Sequence, residues 1–196
     1  MISLSNKKIA IFGGTFNPIH IGHLLTGYDV LEKLNYDYIV YIPANIPAHK
    51  DLAYNIPSHY RLKMVQLSVK NNKKFLYSNI EIKKGGTSYS IDTVREFKDK
   101  YKISNKIGLI IGSDLIGTLN TWKEIDKLSY ECDIICLKRN FPQNTVLNFR
   151  IINVKNKIID ISSTLIRERI KNKFPIDFMV TEKVKKYIHR KKLYKE

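Results

Sequence analysis

Ile9-Ala10-Ile11-Phe12-Gly13-Gly14-Thr15-Phe16-Asn17-Pro18-Ile19-His20-Ile21-Gly22-His23-Leu24 reads as a short apolar strand, a glycine turn and the beginning of a helix. Glycines at 13 and 14 let the backbone approach a ligand with no Cβ in the way. A helix opening just beyond them aims unpaired N–H groups at the same space, which makes a ready anion site. His20 and His23, three residues apart, share the helix face beside that opening. The stretch describes a place for phosphate.

Ile161-Ser162-Ser163-Thr164-Leu165-Ile166-Arg167 supplies a complementary half, after the apolar pair Ile158 and Ile159 and before a helical pattern. Ser162, Ser163 or Thr164 can cap that helix, and their hydroxyls beside free N–H groups form a second anion cradle. Arg167, one turn in, can fork onto phosphate oxygens. Two such turns in one small chain suggest a nucleotide phosphate held from both sides. Rival readings stand beside these. The serine run alone is an ordinary capped helix, and the histidine pair could share a metal ion, although zinc needs a third protein ligand and none is evident nearby. The glycines are not a G-x-G-x-x-G fingerprint, and no Gly-Lys-Ser/Thr follows them to make a Walker pattern.

The remainder alternates strand and helix. Strands are expected over 8–12, 38–42, 75–82, 107–111, 134–137 and 158–159. Helices are expected over 21–34, 59–70 behind a Ser58 cap, 91–100 behind a Ser90 cap, near 115–119 and 122–130, and over 165–171 and 181–190. Within 59–70, Leu62, Val65, Leu67 and Val69 are the expected apolar contacts. The 38–42 run is apolar throughout, as a buried parallel strand is. A loop from Pro43 to Pro57 exceeds most connections in length, and 140–150 reads as irregular. The alternation predicts an α/β fold with a doubly wound, mostly parallel, Rossmann-like sheet. We expect a single domain over 1–196, with a helical part from about 162 to 196 packed on it. Ligands in such sheets bind at the carboxyl ends of strands, where both motif turns and Gly112-Ser113-Asp114 fall.

The pair G-G-T-F-N-P-I-H-I-G-H and I-S-S-T-L-I-R resembles the nucleotidyltransferase superfamily marked by H-x-G-H, and within it the bacterial nicotinate-nucleotide adenylyltransferases. The likeness runs over nearly the whole chain. It includes Pro47-Ala48-His49-Lys50, Gly85-Gly86-Thr87-Ser88-Tyr89-Ser90 with Asp92-Thr93, Gly112-Ser113-Asp114, Thr121-Trp122, and Tyr187 through Leu193-Tyr194. H-x-G-H alone is also found in class I aminoacyl-tRNA synthetases; the ordered set of pieces is far more specific. The chain departs from the family at Asn17, where Asp is frequent, at Ala48, where a second proline is usual, and at Lys123, where several relatives carry an aromatic. Met179-Val180-Thr181 lacks the proline common before the last helix.

The resemblance implies an adenylyltransferase that joins ATP and nicotinate mononucleotide to give deamido-NAD and pyrophosphate. His20, His23 and Arg167 become the catalytic residues. Gly13, Gly14, Thr15, Phe16, Gly112, Asp114, Ile161, Ser162, Ser163 and Thr164 become the ATP and phosphate site, with Asp114 taking a ribose hydroxyl. Lys50, Thr87, Ser88, Tyr89 and Trp122 become the mononucleotide site, with Trp122 against the pyridine ring and the 87–89 backbone on its carboxylate. Each has a plainer reading from the residues alone: a solvated lysine, a packed tyrosine, a core tryptophan, an aspartate in a turn. No protein metal ligands are expected; Mg²⁺ would ride on the triphosphate, because no carboxylate cluster is visible. The remaining His59 and His189 look like surface residues.

Composition limits the alternatives. With 196 residues, 43% of them hydrophobic, the chain can bury one core. No apolar run reaches membrane-spanning length, and the residues before Ile9 hold no signal-peptide core. Cys132 and Cys136 read as free thiols, which suits the cytoplasm. The net charge of +16 raises nucleic-acid binding, but the lysines are scattered among Asn, Ile and Tyr, so no dedicated nucleic-acid partner is expected. The runner-up functions are a nicotinamide-mononucleotide or pantetheine-phosphate adenylyltransferase of the same fold and, from another class, a non-catalytic basic RNA-binding protein. A synthetase fragment would need a Lys-Met-Ser-Lys-Ser-type loop, and Lys63-Met64 is not followed by one. Whether the protein is a monomer or a homo-oligomer is not written in the sequence.

Overall fold

A computed structural model describes residues 3–48, 56–137, 148–154 and 160–195. Strand β1 (Ile9–Gly14) is followed by helix α1 (Ile21–Lys33), strand β2 (Tyr38–Pro43) and the two-residue β3 (Ile46–Pro47). Then come α2 (Ser58–Val69), β4 (Phe75–Tyr77), α3 (Ile80–Lys84), β5 (Thr87–Ser88) and α4 (Ser90–Tyr101). Strand β6 (Ile107–Gly112) leads into a 3₁₀ helix (Ser113–Thr121), α5 (Ile125–Glu131) and β7 (Cys132–Leu137). The chain closes with β8 (Ile151–Val154), α6 (Ser163–Lys171) and α7 (Glu182–Lys191).

Among the described residues, six strands form one sheet in the order β4-β2-β1-β6-β7-β8, and every neighbouring pair is parallel. The doubly wound sheet expected from the alternation is therefore present. Successive side chains of a strand point to opposite faces, and the core divides accordingly. Ala10 and Phe12 of β1, with Ile39 and Tyr41 of β2, pack on one face against α1, α2, α6 and α7. Ile9, Ile11, Val40 and Ile42 pack on the other against α4, the 3₁₀ helix and α5. A strand buried on both sides has no reason to alternate, which is why these segments read as continuous apolar runs. The chain leaves β1 toward β2 on one side and reaches β6 on the other. Their carboxyl ends therefore part at a topological switch point, where ligands bind in such sheets.

Several expectations shift. The strand expected over 75–82 ends at Tyr77, because Ser78 Oγ accepts the Ile80 N–H at 3.3 Å and turns the chain into α3. Ser58 and Ser90 are the first residues of their helices and Pro57 and Tyr89 occupy the cap positions. In α2 the buried row is Arg61, Met64, Val65 and Val69; Leu62 and Leu67 are half-buried. The last strand described is Ile151–Val154, at the edge of the stretch read as irregular, while 158–159 lies outside the described residues. The pairing of Ile46–Pro47 with Thr87–Ser88 was not foreseen. It fastens the start of the long loop to the segment after Gly85-Gly86, whose φ of +75° and +64° only glycine adopts freely.

Candidate active site

β1, an inner strand, carries Gly13 and Gly14 to the carboxyl end of the sheet, and the chain then turns sharply through Thr15, Phe16 and Asn17. Phe16 has left-handed backbone, φ 49°, a conformation that costs a residue with a Cβ about 1–3 kcal/mol unless its surroundings impose it. Two buried arginines impose it. Arg61 Nη1 donates to the Thr15 carbonyl at 2.8 Å, and Arg167 Nη1 donates to the Asn17 carbonyl at 2.9 Å. Tyr194 Oη donates to Asn17 Oδ1 at 2.8 Å, Ser163 Oγ donates to the Pro18 carbonyl at 2.9 Å, and the Ile21 N–H donates to the Met179 carbonyl at 2.9 Å. The C-terminal segment thus clamps the turn that follows β1.

The two histidines stand at the mouth of α1. His20 occupies the cap position and is buried, and its ring lies 3.7 Å from that of His23, centroid to centroid. The His20 backbone N–H donates to His23 Nδ1 at 3.2 Å. In the neutral ring the His23 proton therefore sits on Nε2, which makes that atom the donor. Phe12 and Phe16 meet the His23 ring edge-on at 5.8 and 5.0 Å and fix its plane. Gly22 explains itself here: a Cβ at that position would stand 3.0 Å from His20 Nδ1 and 3.1 Å from its Cε1. The same Cβ would lie 3.9 Å from the Ile161 carbonyl, so the two motifs, far apart in sequence, meet at this helix start.

A cleft opens at the carboxyl end of the sheet, lined by Gly13, Gly14 and Thr15 on one side and by Glu81, Ser88 and Trp122 on another; the two histidines lie beyond its lining, further along the same turn. Trp122 is buried with its flank on the cleft. Glu81 is 8% exposed; burial pushes its carboxyl above the ordinary range, against the hydroxyls of Thr93 and Ser88 and the charges of Lys84 and Arg61. Thr93 Oγ1 donates to Glu81 Oε1 at 2.6 Å. Tyr89 is half-buried, with the Lys123 ammonium 5.0 Å from its ring centroid. Lys123 Nζ also reaches both Asp92 oxygens, at 2.9 and 3.0 Å, and Lys84 reaches one at 3.2 Å. Slight burial raises the Asp92 carboxyl, but those two lysines outweigh it and hold it below its usual value.

At the second motif Ser162 is the cap: its Oγ accepts the Leu165 N–H at 3.1 Å. Arg167 is buried, with Nη2 on Thr164 Oγ1 at 3.1 Å. It braces both motif turns, a contact the phosphate reading alone did not supply. Asp114 is exposed in the first turn of the 3₁₀ helix, its carboxylate folded over Gly112 where a Cβ would otherwise be. It also helps, after burial, to push the Cys136 thiol up to about 11. The Phe16 side chain is buried against His23. Lys50 and His49 lie outside the described residues. Among the described residues no three His, Cys, Asp or Glu side chains gather to hold a metal, and no helix is long and apolar enough to cross a membrane.

Three residues of the site escaped the sequence reading: Arg61, Asn45 and Glu81. Arg61 left one trace, a charge in helical phase with Met64 and Val65 on the buried stripe of α2. Asn45 and Glu81 left none, since a loop asparagine and a glutamate between two isoleucines are ordinary sights.

Known proteins resemble this chain in sequence and fold. The profile of the family described as Cytidylyltransferase-like matches residues 11–169. The nicotinate-nucleotide adenylyltransferase of Bacillus subtilis (strain 168) is 38% identical over 189 residues, covering 96% of this chain and 98% of that protein. A Borreliella afzelii protein named "Probable nicotinate-nucleotide adenylyltransferase" is 37% identical over 187 residues, covering 95% and 96%. Among solved structures, Plasmodium falciparum nicotinic acid mononucleotide adenylyltransferase complexed with NaAD superposes with a TM-score of 0.73 at 22% identity, covering 96% of this chain and 98% of that one. That likeness carries the fold, and the sequence relatives carry the family. The chain belongs to the cytidylyltransferase-like nucleotidyltransferases and, within them, to the nicotinate-nucleotide adenylyltransferases.

Proposed function

We propose that this protein transfers the adenylyl group of ATP to nicotinate mononucleotide, releasing pyrophosphate and forming deamido-NAD for NAD biosynthesis. The observation that carries the reading is the close His20–His23 pair at the opening of α1, a few residues beyond the glycine turn that lines a cleft running to Trp122. The mononucleotide's 5′-phosphate is anionic at neutral pH and needs no base to act as nucleophile. One of its oxygens attacks the α-phosphorus of ATP in line, and the bond from that phosphorus to the bridging oxygen breaks as pyrophosphate leaves. Catalysis is then positioning and charge stabilisation.

His23, with its proton held on Nε2, donates to the phosphate oxygens on which charge builds, and His20 stacks beside it. Gly13, Gly14, Thr15 and Phe16 offer backbone to the triphosphate. Ser162, Ser163 and Thr164 add the N–H groups of the α6 start, while Ile161 and Gly112 shape the adenosine end and Asp114 takes a ribose hydroxyl. Arg167 braces the turn and brings positive charge to the phosphates. Trp122 stacks on the pyridine ring, Thr87, Ser88 and Tyr89 border its carboxylate, and Lys50 reaches the same substrate from the long loop. Mg²⁺ enters with ATP as the magnesium–nucleotide complex. We read residues 1–196 as one catalytic unit working in the cytoplasm. Buried thiols at Cys132 and Cys136, the former pushed up to about 12 chiefly by burial, fit a reducing compartment.

His23→Ala tests the assignment. We expect turnover to fall by about 10²- to 10³-fold, the cost of one donor on a developing oxyanion, while thermal stability drops by only a few degrees, about the 0.5–2 kcal/mol of one lost helix-cap bond. A folded variant with wild-type turnover would remove His23 from the chemistry.

A further inference from the structure

Arg61 belongs to neither phosphate motif, yet it is among the most deeply buried side chains of the protein, 1% exposed. Arginine is almost never cut off from water unless its donors are engaged. Its two Nη atoms hold two different loops: Nη1 donates to the Thr15 carbonyl and Nη2 to the Asn45 carbonyl, both at 2.8 Å. Asn45 then bonds forward twice, its N–H to Ser88 Oγ at 2.9 Å and its Nδ2 to the Gly86 carbonyl at 3.0 Å. The Ser88 hydroxyl also stands near enough to the Glu81 carboxyl to oppose the rise that burial causes in its pKa, and Thr93 Oγ1 secures that carboxylate from α4 at 2.6 Å. One run of hydrogen bonds therefore leads from the turn that follows Gly13-Gly14 to the segment that follows Gly85-Gly86. Backbone pairing runs beside this path: the Ala44 N–H bonds the Gly14 carbonyl at 2.9 Å and Ile46–Pro47 pairs with Thr87–Ser88, so the side chains of Arg61, Asn45 and Ser88 brace at Thr15 and Asn45 a connection that the strands begin.

We propose that Arg61, Asn45 and Ser88 form a strap, anchored by the buried Arg61, that sets the separation between the ATP-side turn and the mononucleotide-side loop, with Arg61 as a positioning residue for the in-line attack. The inference rests on the function proposed above and assigns this reaction a residue outside its motifs. In-line transfer needs nucleophile and phosphorus about 3–3.5 Å apart and aligned. The two substrates contact opposite ends of the strap, so its length enters that distance directly. A guanidinium suits the task because its rigid fork holds two diverging carbonyls, whereas an ammonium is a point donor.

The test uses Arg61→Lys and Ser88→Ala in the full chain. Binding of a non-hydrolysable ATP analogue and of nicotinate mononucleotide is measured separately by calorimetry, beside kcat and Tm. Folded Arg61→Lys should lose about tenfold or more in kcat, because misplacements below 1 Å already act on that scale. Ser88→Ala, at the mononucleotide end, should weaken the ATP analogue as well as the mononucleotide, by about fivefold or more. A merely structural arginine would lower Tm and leave kcat and both affinities of the folded protein at wild-type values, which would overturn the strap. Should Arg61→Lys not fold, Ser88→Ala decides alone, and an unchanged affinity for the ATP analogue overturns the proposal. Wild-type protein that binds both ligands without turnover would sink the proposed function instead, and the binding arms would still judge the strap.

Discussion

Gly22→Ala separates the needs of the fold from those of the chemistry. In a helix, alanine is favoured over glycine by up to about 1 kcal/mol, worth about 2–4 °C in Tm for a chain of this size. The backbone of α1 would welcome the change. The His20 ring would not, because the new methyl would sit 3.0 Å from Nδ1 and 3.1 Å from Cε1, a few tenths of an ångström inside ordinary contact. His20 is 6% exposed and its other face meets His23 at 3.7 Å, so it can retreat only by pushing its neighbour. Both imidazoles then leave the positions from which, in the proposed reaction, they meet phosphate. A full ångström of misplacement costs about 10²-fold in rate, and a shift of this size in two groups should cost about tenfold in kcat. Steady-state kinetics with both substrates, beside a thermal melt, gives both numbers. Unchanged or raised Tm with reduced kcat is expected. Unchanged kcat would refute the claim that Gly22 exists to make room for His20.

Other consequences are equally direct. Trp122→Ala should raise the KM for nicotinate mononucleotide by about 5- to 100-fold, the worth of one stacked ring, while the KM for ATP stays put and Trp122→Phe recovers most of the loss; equal effects on both substrates would make Trp122 a core residue only. Lys123→Ala should cost at most about 1 kcal/mol of stability, since its bridge to Asp92 is half exposed, yet weaken mononucleotide binding by loosening Tyr89; unaltered affinity would confine Lys123 to the surface. Glu81 gives a pH signature. Its folded carboxyl titrates above its unfolded value of 4.5, so between those two points the folded state holds a proton that the unfolded state has lost. Stability must fall as pH rises through that window, by up to about 1.4 kcal/mol per pH unit. Glu81→Gln should lack that slope in melts taken from pH 4 upward, and identical slopes in both proteins would contradict the burial argument.

Much of this was legible in the chain because period and punctuation carried it. Apolar runs such as Tyr38–Ile42 give themselves away as strands covered on both faces, and the glycine turn before His20 marks one wall of the cleft. What stayed hidden depended on the third dimension. Whether Ser58 or Pro57 caps α2 is settled by a single residue of phase, and the strand from Phe75 ends early because a Ser78 hydroxyl outbids the sheet. The contact between Ile46–Pro47 and Thr87–Ser88 joins segments some forty residues apart, which no local pattern announces. Arg167 read as a phosphate ligand from its spacing alone, while its bond to the Asn17 carbonyl spans 150 residues and could only be seen in the fold. Arg61 was hidden most completely, because its partners are backbone carbonyls, which every sequence contains.

The central claim is that the cleft between the glycine turn and Trp122 joins ATP to a pyridine mononucleotide bearing a carboxylate. Pyrophosphate release in the presence of ATP and Mg²⁺, with nicotinate and nicotinamide mononucleotides compared side by side and phosphopantetheine as control, tests it most directly. Rapid turnover with the nicotinate form, little with the nicotinamide form and none with phosphopantetheine is the expected result. Release with neither mononucleotide would contradict the account outright, and equal release with both would contradict its assignment of the carboxylate as the feature the site selects.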